Sequence, residues 1–451
     1  MEFFVQHRPL IATIAGVAAL LLLILARRMP AFPALLIAAL LTGIAAGLAP
    51  GDVISAVQNG MGGVLGFIAV IVGLGAILGV FLEVGGGATA MAGWLVGNRS
   101  DGVAVWMMGF VGIVIAIPVF FDVGLILLIP LVGALARKAG APALRFGLPL
   151  LAGLAAAHAF IPPTPGPIAV ANILGADLGD VILFGLLAGI PAMLLGGPVY
   201  ARFAEAKGWL GEAVQQLENA PEAEHVFDTG LAVKALVCIL VPLGLIVLGT
   251  VAPALFANSH DLVTALEFVG HPFVALLIAC GLAWALLRPN DEVDQLKLKE
   301  GMERAFEPTA AIILVTGAGG AFKQVLIDTG AGAAMAEATL AIGLAPIAAS
   351  FVLAALVRIA QGSATVAMLT AAGLVGPIAV SLGVEGVDLA LMTIAIASGA
   401  TVASHVNDSG FWLVSKYFDL SLSQTLRAWS VASTIVGLTG FVVALSLGLI
   451  L

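Results

Sequence analysis

The sequence predicts an all-α polytopic membrane protein with inverted-topology repeats, each holding a re-entrant helical hairpin and a broken transmembrane helix. Composition is the first observation: of 451 residues, 61% are hydrophobic and 10% are charged, an apolar excess that a water-soluble core of this size does not require. The second is that apolar runs of about 20 residues, long enough to cross the membrane, recur from residue 10 to residue 450. The third is an internal repeat.

Stretches of the first half of the chain return in the same order in the second half. "ALLIAALLTGIAAGLAPGD" begins at Ala34, and "ALLIACGLAWALLRPND" begins at Ala275. "LEVGGGATAMAGWL" from Leu82 is matched by "IDTGAGAAMAEATL" from Ile327. Further along, one histidine of each half falls at a near-equivalent position. Chance explains one such match between apolar sequences, but an ordered series indicates a repeat.

Lysine and arginine positions orient the repeats, because basic residues in short loops concentrate on the cytoplasmic side. The first apolar run, residues 10–26, is followed by Arg27 and Arg28 where a cleavage site would have small residues. We therefore expect a retained first helix that starts outside. Most of the 18 Lys and Arg residues then lie in the cytoplasm, and the N- and C-termini are predicted outside.

Residues 1–202 form the predicted first repeat. Its residues 103–136 are flanked by Arg99 and Arg137, so both ends are predicted to be cytoplasmic and the segment to be a re-entrant hairpin with its tip at 118–122. Two full spans have the same parity and are the alternative. A broken helix is predicted at about 143–176, where "PPTPGP" interrupts apolar sequence. Residues 203–230 are predicted to be a solvated cytoplasmic connector, too short for a catalytic domain.

Residues 231–451 form the predicted second repeat, in the opposite orientation. Its hairpin, at about 344–381, is flanked by Glu337, Glu385 and Asp388 without Lys or Arg, so its ends are predicted outside. Its broken helix is predicted at about 387–414 and contains "SHVNDSG". Inverted repeats with broken helices are typical of secondary transporters, whose sites lie near the membrane midplane where the repeats meet.

The two helix breaks predict where the binding site lies. Non-helical backbone at membrane depth is tolerated only where protein or a water-filled cavity satisfies it, and proline both lacks an N–H and disfavours helix in the residue before it. A helix resuming near Ile168 would aim free N–H groups and a positive dipole end at the gap, which favours an anion. A packed proline kink is the alternative for "PPTPGP", and a cytoplasmic loop is the alternative for "SHVND".

Polar side chains near the breaks and hairpin tips are the candidate site residues. The predicted substrate ligands are Thr164, Gly166, Arg358, Ser363, Thr365, His405 and Asn407, and the predicted proton-coupling groups are Asp122, His158 and Asp408. Ionisable residues at membrane depth are costly and usually functional. Arg358 suits a substrate carboxylate, with neutralisation of a buried acid as an equal alternative. Helix capping by Asp122 and packing of His158 are the structural alternatives.

Other function classes find little support in the sequence. Cys238 and Cys280 lie in apolar runs, so neither a disulfide framework nor a Cys-based metal site is expected. The chain contains no HExxH, GxSxG or paired Cys/His metal spacing, which disfavours an intramembrane enzyme. A channel is a third possible function, beside a transporter and an intramembrane enzyme. The formal charge of −9 says little about nucleic acid here, and neither a nucleic-acid partner nor a cofactor is expected.

Six motifs resemble those of the gluconate:proton symporter (gluconate permease) family, within the wider ion-transporter superfamily. They are "PVFFDVGLILLIPL", "PPTPGP", "GGPVYAR", "GGAFKQVLIDTG", "RIAQGSATVA" and "SHVNDSGFWL", spread from Pro118 to Leu413. The resemblance implies import of gluconate or a related sugar acid with protons, across the inner membrane of a bacterium. It also implies an elevator-type homodimer, in which a scaffold domain supports a moving transport domain.

Three residues depart from the family pattern. Thr164 stands where the family commonly has His, Asp122 where it often has Glu, and Ser409 where Pro is usual. The family also includes permeases for related hydroxy acids and for a small amino acid. The exact substrate therefore stays open at this point, as does coupling to sodium instead of protons.

Overall fold

A computed structural model of the chain describes residues 8–97, 99–210, 228–256, 259–333, 335, 337 and 345–451. Most of the predicted connector and residue 344, where the second hairpin was predicted to start, lie outside these residues. Within them, every regular element is a helix. In this described part of the chain, seven helical segments are long and apolar enough to cross a membrane, or eight if one bent pair is a single span. The prediction of an all-α polytopic membrane protein is therefore confirmed.

Ten helices lie within the described residues up to 210. They are α1 (Arg8–Leu25), α2 (Ala31–Ala46), α3 (Pro50–Val84), α4 (Gly87–Val96), α5 (Asp101–Ala116), α6 (Phe121–Ala139), α7 (Leu144–Phe160), α8 (Pro165–Leu174), α9 (Leu178–Leu194) and α10 (Tyr200–Ala206). A π-helical turn, Leu195–Val199, joins α9 to α10.

Ten more helices lie within the described residues from 228 onward. They are α11 (Thr229–Leu255), α12 (His260–Gly270), α13 (Pro272–Leu287), α14 (Glu292–Asp328), α15 (Pro346–Gln361), α16 (Ala364–Ser381), α17 (Val387–Gly399), α18 (Ser409–Tyr417), α19 (Leu422–Thr425) and α20 (Val431–Gly448). Helices α12 and α13 form the bent pair, at 62°. A second π-helical turn, Leu426–Ser430, joins α19 to α20.

The two longest helices, α3 and α14, pack antiparallel against each other. A Cβ atom on Gly60 would lie 2.4 Å from the carbonyl oxygen of Gly320, and one on Gly301 would lie 2.8 Å from the side chain of Val80. Residue numbers thus rise on one helix as they fall on the other. Glycine permits this approach because the absent side chains let the two backbones touch.

Each half of the chain has two helix breaks at the places where the sequence predicts a hairpin tip and a broken helix. In the first half, α5 ends before Pro118 and α6 starts at Phe121, while α7 ends at Phe160 and α8 starts at Pro165. The resumption at Pro165, not near Ile168 as predicted, reflects the preference of proline for the first position of a helix. In the second half, the breaks lie at Gly362–Ser363 and at residues 400–408.

The broken helix α7–α8 lies at the centre of the protein. In an apolar stretch of 18 residues within α7–α8, 89% of the residues are buried, whereas the corresponding share for α19–α20 is 33%. Helix α5 packs closely on α7, because a Cβ atom on Gly153 would lie only 2.1 Å from the carbonyl oxygen of Gly109. The residues of the break between α7 and α8, 161–164, are themselves buried, so their backbone polar groups lie where protein must satisfy them.

Candidate functional site

A cavity of about 550 Å³ lies where four helices begin. Its wall includes the first residues of α6 (Phe121–Val123), α8 (Pro165), α16 (Ala364 and Thr365) and α18 (Ser409 and Gly410). Two of these helices belong to each half of the chain. The first N–H groups of a helix lack intrahelical partners and carry the positive end of its dipole. Helix starts of this kind favour an anionic ligand where their N–H groups stay uncapped.

The four helix starts are not equally capped. Ser363 caps α16 by accepting from the Val366 N–H at 3.4 Å, and Asp408 caps α18 by accepting from the Gly410 N–H at 3.1 Å. Among the described residues, no side chain caps α6 or α8. Pro165 lacks an N–H, so the first turn of α8 offers few donors. The start of α6 therefore keeps the larger set of uncapped donors.

Arg358 and Asp408 form an ion pair at the edge of this cavity. The Arg358 Nη2 lies 2.5 Å from the Asp408 Oδ2, and the two side chains are 5% and 13% exposed. The Nε and Nη1 atoms of Arg358 are buried and donate to no group among the described residues. An unmade bond from a buried guanidinium is costly, and a carboxylate is the partner that this group matches best.

Asp408 is held by three donors. Its Oδ2 accepts from Arg358 and from the hydroxyl of Ser404, and its Oδ1 accepts from the Gly410 N–H. The Asp408 carboxylate thus has its hydrogen-bonding positions largely occupied by protein groups. Its predicted part in proton coupling stays a prediction.

Asp122, unlike Asp408, has no hydrogen-bond donor beside its carboxylate among the described residues. It is exposed on the cavity wall in the first turn of α6 and makes no hydrogen bond or ion pair to any described residue. His158, in the last turn of α7, also lines the cavity, with its ring 6.3 Å from that of Phe120. The His158 Nδ1 is buried and finds no partner in the described part of the chain. Both side chains can therefore meet a ligand or a proton from the cavity.

The hairpin tip and the second break touch each other. Gly362 has φ +94°, and a Cβ atom there would lie 2.2 Å from the carbonyl oxygen of Asn407. Asn407 donates its Nδ2 to the carbonyl oxygens of Ile359 and Ala360, at 3.0 and 3.4 Å. His405 Nε2 lies 2.9 Å from the Ile359 oxygen. The last carbonyls of α15 are thus capped by the break, which leaves the Asn407 side-chain oxygen for a ligand.

The structure brings most of the predicted site residues together. Those on the cavity wall are Asp122, His158, Arg358, Ser363, Thr365, Asn407 and Asp408. Thr164, Gly166 and His405 do not line it. Thr164 is 4% exposed and donates its hydroxyl to the Ile161 oxygen at 2.7 Å, which turns that group toward its own backbone.

Sequence reasoning missed the contribution of the last helix pair. Trp429, in the π-helical turn, and Ser433, in α20, line the cavity with Gln361 and Thr401. The run around Trp429 is predicted from sequence to be an ordinary span. A tryptophan at the start of an apolar segment gives no signal of its own, because Trp is common where spans meet the membrane–water interface.

Comparison with known proteins identifies similar chains along almost the whole length. The family described as GntP family permease matches residues 8–450. A gluconate permease of Pseudomonas aeruginosa is 36% identical over 446 residues, which cover 98% of each chain. A low-affinity gluconate transporter of Escherichia coli K12 is 38% identical over 437 residues, covering 96% of this chain and 97% of that one.

The fold is similar to that of a solved structure, the YdaH transporter of Alcanivorax borkumensis. The TM-score is 0.64 at 16% sequence identity, and the match covers 89% of this chain and 90% of that one. At this identity the likeness concerns the fold alone. It agrees with the all-helical fold described above.

Proposed function

The chain belongs to the GntP family of permeases, and we propose that it carries gluconate or a closely related sugar acid into the cell together with protons. As the relatives are permeases and transporters, the chain is a transport protein and not an enzyme. The proposal adds the substrate, the coupling ion and the route. Each of these is supported by the cavity at the four helix starts.

The unpaired donors of Arg358 are the observation that carries the substrate class. They are buried on a residue that lines the cavity at the four helix starts, and a substrate carboxylate that displaces the neighbouring side chains to reach them would satisfy them. Ser363, Thr365 and Asn407 line the same cavity and can bond the hydroxyls of a sugar acid. The volume, about 550 Å³, falls within the usual range for small-molecule sites.

Asp122 supports the coupling to protons. When ionised, its unpaired carboxylate repels an anionic substrate in the same cavity. Protonation removes that repulsion, so a proton and a sugar acid each favour the binding of the other. His158 and Asp408 are the other predicted carriers, but Asp408 is already engaged by Arg358 and Ser404.

The proposed transport mechanism is an elevator with two inverted repeats, 1–202 and 231–451. In support of this proposal, α3 of the first repeat packs antiparallel on α14 of the second, as two scaffold helices would. Each repeat also contributes residues of one hairpin and one broken helix to the cavity wall. In this proposal the hairpins α5–α6 and α15–α16 are re-entrant. The protein acts as a homodimer in the bacterial inner membrane, surrounded by lipid, with both termini outside.

Uptake into proteoliposomes tests the proposed function. Radiolabelled gluconate should accumulate above its external concentration when an inward proton gradient is imposed, and the accumulation should collapse with a protonophore. A panel of aldonates, hydroxy acids and small amino acids tests the substrate class. Accumulation driven only by sodium would overturn the proton coupling, and equilibration without accumulation would indicate a channel.

A further inference from the structure

A series of side-chain hydrogen bonds, called the hydrogen-bond chain below, joins the turn between α19 and α20 to Arg358. Trp429 Nε1 donates to the Ser404 Oγ at 2.8 Å, and the Ser404 hydroxyl donates to the Asp408 Oδ2. The same oxygen accepts from the Arg358 Nη2 at 2.5 Å. The chain thus runs from the π-helical turn Leu426–Ser430, through the second break, to the hairpin helix α15.

The direction of this chain is fixed by what each group can donate. An indole N–H donates only, so Ser404 must accept from Trp429. A hydroxyl has a single proton, and the proton of Ser404 is then directed to Asp408. The Arg358 guanidinium also only donates. Asp408 is therefore the acceptor at which both ends of the chain meet.

The links are buried and held by further contacts. Trp429 is 4% exposed and Ser404 is 1% exposed. Ser430 donates its hydroxyl to the Ser404 carbonyl, and the Ser404 N–H donates to the Ser433 Oγ at 3.2 Å. The Trp429 ring also lies 5.5 Å from that of Phe121, at the start of α6. Ser404 is thus fixed by three residues of one helical segment.

The π-helical turn accounts for the reach of Trp429. A π turn inserts an extra residue, which rotates the helix face that follows by about 100°. This places Trp429, Ser430 and Ser433 on the side facing the break, where each contacts Ser404. Such turns occur often at functional sites.

We infer that Trp429 is a positioning residue of the binding site, which acts through Ser404 and Asp408 to hold Arg358 at the cavity wall, where its Nε and Nη1 have no partner among the described residues. This inference rests on the proposed function, since it concerns the site that binds the sugar acid. Trp429 need not touch the substrate in this role. Its indole N–H fixes the Ser404 hydroxyl, which fixes the carboxylate, which in turn orients the guanidinium.

The test is a double-mutant cycle on gluconate binding by the purified full-length protein. Trp429→Phe keeps an aromatic ring against Phe121 but removes the N–H. Ser404→Ala removes the hydroxyl that links Trp429 to Asp408 in the hydrogen-bond chain. Each change should lower gluconate affinity by roughly tenfold. The double mutant should bind about as weakly as either single mutant, because both changes break the same chain. In proteoliposomes the KM should rise while the maximal rate stays near that of the wild type.

Trp412→Phe is the matched control. Trp412 also donates its Nε1 in this region, to the Val406 carbonyl at 2.8 Å, but it lies outside the chain that ends at Arg358. Its replacement should leave gluconate affinity within about twofold of the wild type. An equal loss in Trp412→Phe and Trp429→Phe would overturn the inference, because the break as a whole would then be the cause.

The outcomes separate this inference from the proposed function. A wild-type protein that binds no gluconate contradicts the proposed function. A wild-type protein that binds gluconate, with unchanged affinity in Trp429→Phe or additive losses in the double mutant, contradicts the positioning role alone. Should Trp429→Phe fail to reach the membrane, Ser404→Ala is compared with Trp412→Phe, which lies outside the series of hydrogen bonds that ends at Arg358. Equal affinities in those two variants would also contradict it.

Discussion

Arg358 Nη2 lies 2.5 Å from Asp408 Oδ2 across a sequence separation of 50 residues, and this contact joins the second hairpin to the second helix break. Both side chains are largely buried. A buried ion pair is weak evidence for stability, but removal of one partner leaves an uncompensated charge. Because the remaining donors of Arg358 have no partner among the described residues, the pair is also suited to receive a second carboxylate.

Replacement of Arg358 by lysine is expected to weaken gluconate binding. Lysine retains the charge opposite Asp408 but has no planar fork of donors, so the affinity should fall by roughly tenfold or more. Isothermal titration calorimetry on the purified protein measures the change. Arg145→Lys is the matched control, because Arg145 pairs with Glu205 at 3.2 Å in a more exposed setting, where an ion pair contributes little. Unchanged affinity in Arg358→Lys would remove Arg358 from the substrate site.

Replacement of Asp122 by asparagine is expected to abolish proton-driven accumulation while gluconate exchange is retained. The amide keeps the shape of the side chain and loses the proton site. Uptake and counterflow in proteoliposomes, with and without a pH gradient, measure the two activities separately. Asp52→Asn is the control, since Asp52 also lies exposed in the first turn of a helix but not on the cavity wall. If Asp122→Asn accumulated gluconate as the wild type does, Asp122 would have no coupling role.

Ser363 and Thr164 are expected to differ in their effect on binding. Ser363 lines the cavity, and Ser363→Ala should cost about 1–3 kcal/mol of gluconate binding free energy if its hydroxyl bonds the substrate. Thr164→Val should cost less, because the Thr164 hydroxyl donates to the Ile161 carbonyl away from the cavity wall. Direct binding to both variants, at matched membrane expression, makes the comparison. A larger loss in Thr164→Val would place the substrate at the proline break.

The proposed orientation predicts which side of the membrane two positions face. In a variant without Cys238 and Cys280, a cysteine at Glu385 should react with an impermeant thiol reagent from outside. A cysteine at Lys297 should react only after permeabilisation, because it follows α13 on the cytoplasmic side in the proposed topology. The reverse pattern would invert the orientation of both repeats.

Much of the fold could be predicted from the sequence because its causes are local. Apolar length indicates spans, and the prolines of "PPTPGP" interrupt a helix wherever they occur. The break between α7 and α8 accordingly falls at residues 161–164. The site was less predictable, because the partner of Arg358 depends on packing between segments that are distant in the chain.

Thr164 and Trp429 show where prediction of the site from sequence fails: the first was predicted but does not line the cavity, and the second lines it but was not predicted. Thr164 was predicted as a ligand because it is the polar side chain nearest to the prolines, but its local backbone supplies an acceptor for the hydroxyl. Trp429 was not predicted, because a π-helical turn that aims a side chain has no reliable signature in an apolar run. His158 and His405 are the histidines that fall at near-equivalent positions of the two repeats, but of the two only His158 lines the cavity.

A structure of the full-length protein with gluconate bound tests the central claim most directly. The gluconate carboxylate is predicted to lie within about 2.7–3.2 Å of the Arg358 Nε or Nη1, with the sugar hydroxyls toward Ser363 and Asn407. Gluconate bound at another place, with the Nε and Nη1 of Arg358 still unpaired, would contradict the account.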